Sequence, residues 1–326
     1  MGRLIQRSGD TVYRLLNPAL ISMQVSGEIA QSMFMRKKRL YLVIDDTLIK
    51  KISSKVMQGS GMFYDTKLAK CIIAFRLVVG IITDGHFTVP LGCSYLFAKE
   101  LIDTLVKQQF PSKEDIAQSL IKTAQKLFPH PVITVVVDGL YSTVSFLTWC
   151  KTNAIRLEAR MHSNRIVEYD GKRIKLRDLL TIKGMRPTGR RMARTISVKW
   201  HGIDLELTMV RRLDKEQKES FVFQIATYQA LPREHVAAYK KRWAVEMMFR
   251  TTKQSLGLQE CFSRELETQH NHVAAVLLAY SLAQLDMKQS RLKTPEQAIR
   301  RCKTKNASSL NHRFIRILQD IPSFHA

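Results

Sequence analysis

Leu40-Tyr-Leu-Val-Ile-Asp-Asp-Thr47 is the stretch of sequence from which the fold of this chain can be predicted. Five apolar residues are followed by three polar ones, a pattern typical of a buried β-strand that ends at a sheet edge. The run Val132–Val137, apolar apart from one threonine, repeats the pattern and is followed by Asp138 and Gly139. These two runs predict strands that each end in a carboxylate.

The segments around these runs alternate between strand and helix patterns. Residues 1–39 have a helical pattern, and the polar residues 48–67 predict a loop. Four further elements follow in order: a hairpin of Cys71–Ile82 and Phe87–Phe97 with Asp84-Gly85 at its turn, a helix over Ser112–Phe128 with Ser112 as N-cap, a helix over Tyr141–Cys150, and a strand over Ala154–Arg160. This order predicts an α/β fold, a mixed sheet flanked by helices.

The character of the sequence changes after residue 160. Residues 161–228 alternate between apolar and polar side chains and contain several Gly turns, which predicts a β-rich insertion. Helical patterns follow, at Pro232 to Gly257, His270–Asp286, Pro295–Lys303 and Leu310–Gln319. The predicted organisation is therefore 1–39, a short helical N-terminal region; 40–160, the first part of the core; 161–228, the insertion; and 229–326, the C-terminal helical part.

The charge of the chain indicates an anionic partner. Its 326 residues contain 52 Lys and Arg against 28 Asp and Glu, a formal net charge of +24 that is spread along the whole sequence. A phosphate backbone is the usual partner of such a surface, so nucleic acid is favoured over a membrane. No apolar run is long enough to span a bilayer. The five cysteines lack zinc-site spacing and are predicted to be reduced thiols of a cytoplasmic protein.

The helix predicted after Pro232 has an unusual polar face. At about 100° per residue, one stripe contains a lone carboxylate, four other polar or charged side chains and an indole ring: Tyr239, Arg242, Trp243, Glu246, Arg250 and Lys253. One interpretation is a ladder of ion pairs, because Arg242 and Arg250 lie four residues on either side of Glu246. The other is a binding site in which the carboxylate and the cations have separate roles.

The upstream carboxylates favour the second interpretation. Carboxylates at neighbouring strand ends offer the oxygen ligands that divalent metals prefer, although an Asp after a strand is also a common turn residue or helix cap. With Glu246 as third ligand, Asp45 and Asp138 predict a site for two metal ions suited to in-line phosphoryl displacement. Asp46 is an alternative to Asp45. The cations, Arg250 among them, are then predicted to hold neighbouring phosphates.

In this pattern the chain resembles the IS4-like DDE transposases, cut-and-paste enzymes of bacterial insertion sequences. The spacing Tyr239-x₂-Arg242-x₃-Glu246-x₆-Lys253 is similar to their Y-R-E-K signature, and Trp243 after the arginine is also familiar in the group. Ile44-Asp45-Asp46-Thr47 resembles their first carboxylate motif, and Val135-Val-Val-Asp138 their second. The resemblance extends from about residue 40 to about residue 290.

The resemblance implies an RNase H-like catalytic core with the insertion at 161–228 before the last catalytic helix. It further implies two Mg²⁺ or Mn²⁺ ions on Asp45, Asp138 and Glu246, and contacts from Tyr239, Arg242 and Lys253 to the DNA backbone. Trp243 would stack on a flipped base, or else pack against the insertion. Residues 1–39 would then be a reduced DNA-binding region.

The function implied is that of an insertion-sequence transposase, which cleaves transposon ends and transfers the strand to target DNA. The implied partners are both DNAs and a second copy of the chain in a synaptic homodimer, in a bacterial cytoplasm at the nucleoid. Two alternatives remain open. One is a catalytically inactive or truncated transposase-derived DNA-binding protein, and the other is a related nuclease without strand transfer.

Overall fold

The computed structural model describes residues 23–51, 57–97, 111–188 and 192–304. The chain divides into two compact units. The first consists of Met1–Lys37, Asp46–His130 and Val245–Ala326, and the second of Lys38–Asp45 and Pro131–Ala244. The boundaries predicted from the sequence, at residues 39, 160 and 228, stay predictions.

Strands and helices alternate along the described ranges. The strands are β1 (Arg39–Lys50), β2 (Gly61–Asp65), β3 (Lys70–Thr83), β4 (Thr88–Leu96), β5 (Val132–Val137), β6 (Arg156–Met161), β7 (Ile166–Tyr169), β8 (Lys172–Lys175), β9 (Ala193–Trp200), β10 (Ile203–Leu213) and β11 (Glu219–Ala226). The α-helices are α1 (Gln24–Phe34), α2 (Lys113–Leu127), α3 (Val144–Thr152), α4 (Pro232–Lys240), α5 (Trp243–Ser255), α6 (Leu266–Gln289) and α7 (Pro295–Thr304). Short 3₁₀ helices occupy Gly139–Tyr141 and Leu176–Thr181.

This architecture confirms the predicted fold class, a mixed sheet flanked by helices. The predicted hairpin and the Ser112 cap are present, the latter as a capping box with Asp115. Residues 1–22 of the predicted helical region 1–39 lie outside the described residues, and so does the whole of the predicted helix Leu310–Gln319. All five cysteines are free. Within the described ranges, no helix is both long and apolar enough to cross a membrane.

The second unit contains a sheet in the order β1-β5-β6-β11-β10-β9-β7-β8. Strand β1 enters it through its first residues, which run parallel to β5, and β5 runs parallel to β6. From β6 onward the strands pair antiparallel. The five strands β7 to β11 occupy the region predicted as a β-rich insertion. The parallel strands β1 and β5 contain the apolar runs of the sequence, as expected for strands covered on both faces.

Helix α4 packs against strands β5, β6, β9, β10 and β11. Pro232 begins this helix, as its fixed backbone angle allows at a first helical position. Its residues His235, Ala238 and Tyr239 are buried. The sheet face beneath it carries alternate residues of the parallel strands, because side chains along a strand point to opposite faces.

In the first unit, β3 pairs with β2 near its start and with β4 along its remainder. Helix α2 packs on β3 and β4, and α1 and α6 pack on β4. A Cβ atom at Gly80 or Gly92 would lie about 3 Å from the Leu120 side chain, so these glycines let α2 approach the sheet closely. Helix α7 packs on α6.

The prediction that β1 ends at Asp45 is wrong. The strand continues through both aspartates to Lys50, and the backbone N–H of Lys51 donates to the carbonyl of Ile73 at 2.9 Å. The mostly polar second half of β1 therefore ends at a hydrogen bond to β3, a strand that follows it at a distance in sequence. The loop predicted over 48–67 is also wrong in part, because it contains the end of β1 and all of β2.

The prediction of one continuous helix from Pro232 to Gly257 is wrong as well. Helices α4 and α5 are separated by a turn at Lys241 and Arg242. At the turn, Arg242 N donates to Tyr239 O and Ala244 N to Lys241 O, both at 3.0 Å, so i to i+3 hydrogen bonds replace the α-helical pattern. The stripe that assumed one regular helix is interrupted between Arg242 and Trp243.

Candidate active site

Two of the predicted site carboxylates lie one residue beyond the last registered pair of two neighbouring strands, β1 and β5. Ile44 pairs with Val137, and Val137 pairs with Ala159. The next residues along the three parallel strands are Asp45, Asp138 and Arg160. Adjacent strands lie about 4.8 Å apart, so this register brings the three residues into one row across the sheet. The row lies on the face that α4 covers, since Glu158, two residues before Arg160, contacts that helix.

Arg242 is the direct partner of the first carboxylate. Its Nη1 donates to Asp45 Oδ2 at 2.8 Å, and both side chains are largely shielded from solvent. The contact explains why the chain turns between α4 and α5, since Arg242 leaves the helical pattern where its guanidinium meets the strand. A charge-assisted hydrogen bond of this kind orients the carboxylate.

The second carboxylate also acts as a local cap. Asp138 Oδ1 accepts a hydrogen bond from the backbone N–H of Leu140 at 2.9 Å, at the start of the 3₁₀ helix Gly139–Tyr141. The turn role considered from the sequence is therefore present. This hydrogen bond fixes the orientation of the carboxylate.

Tyr239 lies among these charged groups. The phenol is buried on α4, and burial raises its pKa, with Asp138 and Asp45 acting in the same direction. The positive charges of Arg242 and Arg160 oppose that rise in pKa. The charges of two carboxylates and two guanidinium groups therefore all influence the Tyr239 phenol.

Arg160 is a residue that the sequence argument missed. It is exposed on β6, and Gln224 of β11 lies opposite it in the sheet. The Arg160 carbonyl accepts a hydrogen bond from Ser142 Oγ at 2.8 Å, and it would lie 3.2 Å from a Cβ at Gly139. The alternation of polar residues at 156, 158, 160 and 162 was the available signal, since it marks one face of β6 as polar.

Asp46 faces a different set of partners. Its Oδ1 lies 2.6 Å from Lys113 Nζ, and its Oδ2 lies 3.6 Å from Arg76 Nε. Lys113 is the first residue of α2, so the Asp46 carboxylate ties that helix to β1 within the first unit. Consecutive residues of a strand point to opposite faces, which separates the surroundings of Asp46 from those of Asp45.

Helix α5 carries the other predicted residues. Trp243 is 61 % exposed, which argues against the alternative that it is packed against the insertion, and Arg250 is also exposed. Glu246 is half-buried in the first turn. Another face of the helix is apolar, with Val245, Met248 and Phe249 buried.

Lys253 is held by the second half of β1. Its Nζ donates to Thr47 Oγ1 at 2.6 Å and to the Leu48 carbonyl at 3.0 Å. Burial, together with the charges of Lys50 and Lys67, lowers the pKa of Lys253 to about 8. The ammonium group is therefore oriented by neutral oxygens, with no carboxylate among its two hydrogen-bond acceptors.

The chemistry of the donors fits a divalent cation. Asp45 and Asp138 supply carboxylate oxygens, the ligands that Mg²⁺ and Mn²⁺ prefer, from neighbouring strands of one unit. Among the residues that the structure describes, no group of three or more His, Cys, Asp and Glu side chains is gathered closely enough to hold a metal ion. A third carboxylate at such a site is supported by the sequence spacing of Glu246 alone.

Fold and site together define an α/β protein whose parallel strands present two carboxylates beside arginines, an arrangement suited to chemistry on phosphate esters. Comparison with known families agrees: the family model "Transposase DDE domain" matches residues 102–282. The chain belongs to this family, and its mixed sheet is consistent with the RNase H-like fold of DDE transposases.

The family match covers part of the candidate site. Asp138, Tyr239 and Glu246 lie within it, whereas Asp45 precedes its first residue. Membership supports a transposase-type enzyme that processes nucleic acid, with DNA as the implied substrate, in a family that generally uses divalent metal ions. No curated protein sequence matches the chain.

Proposed function

We propose that this protein is the transposase of an IS4-like insertion sequence, which cleaves DNA at transposon ends and joins the freed strand to target DNA by a cut-and-paste route. The observation that carries the proposal is the row of Asp45, Asp138 and Arg160 on three parallel strands, with Tyr239 and Arg242 beside it. Carboxylates for metal and cations for phosphate are both needed for phosphoryl transfer.

The proposed metal ligands are Asp45, Asp138 and Glu246. Asp45 is preferred to Asp46 because Asp46 is engaged by Lys113 and Arg76, whereas Asp45 shares its row with Asp138. Two Mg²⁺ or Mn²⁺ ions, when bound, supply Lewis-acid stabilisation of an in-line displacement at phosphorus. Arg242 holds Asp45 in place, and the Leu140 amide holds Asp138.

The proposed DNA contacts come from both helices and from the sheet. Tyr239, Arg242, Arg250 and Lys253 follow the signature of the sequence, and Arg160 joins them because it lies close enough to Tyr239 to influence its pKa. Guanidinium and ammonium groups bind phosphates without reading the base sequence. The net charge of +24 supports an extended contact of this type.

The proposal includes two copies of the chain that act together on paired transposon ends, in a bacterial cytoplasm at the nucleoid. The chemical step separates it from its alternatives. A nuclease without strand transfer would cut the same DNA and stop there, and a catalytically inactive or truncated descendant would bind the DNA without cutting it.

The test uses the purified full chain and DNA that flanks its coding region, with Mg²⁺ or Mn²⁺. We expect strand cleavage at short inverted repeats, loss of cleavage with a chelator, and joining of pre-cut ends to a second DNA. Cleavage without joining would favour the nuclease. Binding without any cleavage in Mn²⁺ would favour the inactive DNA-binding protein.

Trp243→Ala should weaken the reaction without affecting the fold. Stacking of a base on an aromatic ring is worth roughly 1–3 kcal/mol, so we expect cleavage to slow by about ten- to hundredfold. The side chain is 61 % exposed, so the thermal midpoint should change little. Phe262→Ala removes another exposed aromatic as a matched control, and Trp243→Phe should restore most of the rate. Equal rates for Trp243→Ala and Phe262→Ala would contradict the stacking role.

Lys253 should make DNA affinity depend on pH. Its pKa of about 8 means that the ammonium charge is lost as pH rises through that value, so the phosphate contact weakens. We expect affinity to fall about three- to tenfold more between pH 7 and 9 in the wild type than in Lys253→Arg, whose guanidinium stays charged. Lys67→Arg, at an exposed lysine, is the matched control and should keep the wild-type profile. Parallel profiles for the wild type and Lys253→Arg would contradict the assignment.

A further inference from the structure

A buried polar contact lies beneath the carboxylate row, on the same face of the sheet. Glu158 of β6 accepts a hydrogen bond from the Tyr228 hydroxyl at 2.6 Å, and the same oxygen lies 2.6 Å from His235 Nδ1 on α4. Glu158 and His235 are both 0 % exposed. Neither residue belongs to the signature, and neither has a place in the chemistry proposed above.

The spacing of residues along β6 and along α4 aligns this contact with the candidate site. Glu158 lies two residues before Arg160, so both side chains are on one face of β6. His235 lies four residues before Tyr239, so both are on one face of α4, about one turn apart. Glu158–His235 and Arg160–Tyr239 are therefore successive levels of the same interface between helix and sheet, the first buried and the second at the site.

An aromatic ring and a guanidinium group lie next to the contact between Glu158 and His235. The Arg156 guanidinium lies 3.7 Å from the centroid of the Tyr228 ring, and Tyr228 is followed by Pro232 at the start of α4. Burial raises the pKa of Glu158, whereas His235, Tyr228 and Arg156 act against that rise. Tyr228, in the segment that leads into α4, thus contacts two residues on one face of β6, Arg156 and Glu158.

The buried contact between Glu158 and His235 carries a cost in folding free energy. Glu158 Oε2 and His235 Nε2 are buried without a hydrogen-bond partner in the part of the chain that the structure describes. Each such group carries an uncompensated desolvation cost, and an apolar pair of similar volume would fill the space without that cost. The hydrogen bond between them has, however, a defined length and direction, which an apolar contact lacks.

We propose that Glu158 and His235 are positioning residues that fix α4 on the sheet and thereby hold Tyr239 beside Asp45, Asp138 and Arg160. The role rests on the proposed function of those four residues. The pair acts through the helix, one turn away from the site, and does not touch the substrate itself.

The test compares an apolar pair with a conservative variant in the full chain. Single truncations risk unfolding, because they leave one polar partner buried alone. Glu158→Leu with His235→Leu keeps the volume but removes the hydrogen bond. We expect the double variant to stay folded, with kcat for strand cleavage lowered about ten- to hundredfold and KM for the DNA end within about twofold of the wild type. Glu158→Gln, which keeps an acceptor oxygen, should stay within about threefold of the wild-type kcat.

The matched control is the buried pair Tyr280 and Gln284 on α6, joined by a 2.8 Å hydrogen bond. Tyr280→Phe with Gln284→Leu should change stability but leave the kcat of the folded protein unchanged. A wild-type kcat in Glu158→Leu/His235→Leu would overturn the positioning role. So would a loss of rate that is fully accounted for by a smaller folded fraction.

A second readout does not require cleavage. Amide hydrogen exchange over residues 235–240 should be at least about tenfold faster in Glu158→Leu/His235→Leu than in the wild type, with α6 unchanged. Unchanged exchange in α4 would overturn the inference. If the wild type cleaves no DNA, the proposed function fails, while the exchange measurement still shows whether the pair fixes the helix.

Discussion

Asp45→Asn is expected to lower strand cleavage by about 10³-fold while DNA binding persists. Loss of a metal ligand removes several kcal/mol of transition-state stabilisation, and about 1.4 kcal/mol corresponds to a factor of ten in rate. Asparagine keeps the size of the side chain and an oxygen for Arg242, which donates to Asp45 at 2.8 Å. The measurement is single-turnover cleavage of end DNA in Mg²⁺, with binding followed separately.

Asp46→Asn is the matched control, one residue further along the same strand. It weakens the contacts of this side chain with Lys113 and Arg76, so we expect a lower thermal midpoint. The folded protein should still cleave within a few-fold of the wild type. The reverse pattern, with Asp46→Asn inactive and Asp45→Asn active, would show that the ligand had been assigned to the wrong aspartate.

Two of the parallel strands, β1 and β5, can be predicted because the sequence signal for each lies within the strand itself. Leu40 to Ile44 and Val132–Val137 are apolar runs whose length and bounding polar residues indicate buried strands wherever they lie. The two runs pair in parallel, and Asp45 and Asp138 are the next residues after the last registered pair, Ile44 and Val137. The second half of β1 carries no such signal, since only Leu48 and Ile49 are apolar in it, and the hydrogen bond from Lys51 to Ile73 joins distant parts of the sequence.

The break between α4 and α5 shows how tertiary contacts override helical periodicity. The residues from Pro232 to Ser255 have a sequence compatible with one helix, and nothing in their spacing indicates a turn at Lys241 and Arg242. The ion pair between Arg242 and Asp45 joins positions 197 residues apart. Such a contact cannot be read from a window of one or two helical turns.

Arg160, Glu158 and His235 could not be assigned from the sequence for a similar reason. Their roles depend on the register of β6 against β5 and on the placement of α4 over that face. Alternation along β6 indicates a polar face, but it does not indicate which helix covers it. A glutamate and a histidine 77 residues apart become partners only after the sheet has formed.

Glu246→Gln is expected to abolish cleavage to a similar extent, about 10³-fold, with DNA binding retained or slightly stronger. Glutamine is also a good helix former, so α5 should persist and the thermal midpoint should change little. What is lost is the charge that a divalent ion requires from its ligand. Glu267→Gln, at an exposed glutamate in the first turn of α6, is the matched control and should cleave like the wild type.

This variant also separates the two interpretations of the polar face of α5. If Glu246 served only in a ladder of ion pairs with neighbours four residues away, its replacement would cost about 0.2–0.5 kcal/mol of stability per pair and leave the rate intact. If it is a metal ligand, the rate collapses and the stability is nearly unchanged. Cleavage by Glu246→Gln at the wild-type rate would therefore remove Glu246 from the metal site. The two aspartates, which share a sheet and a register, would then need a different third ligand.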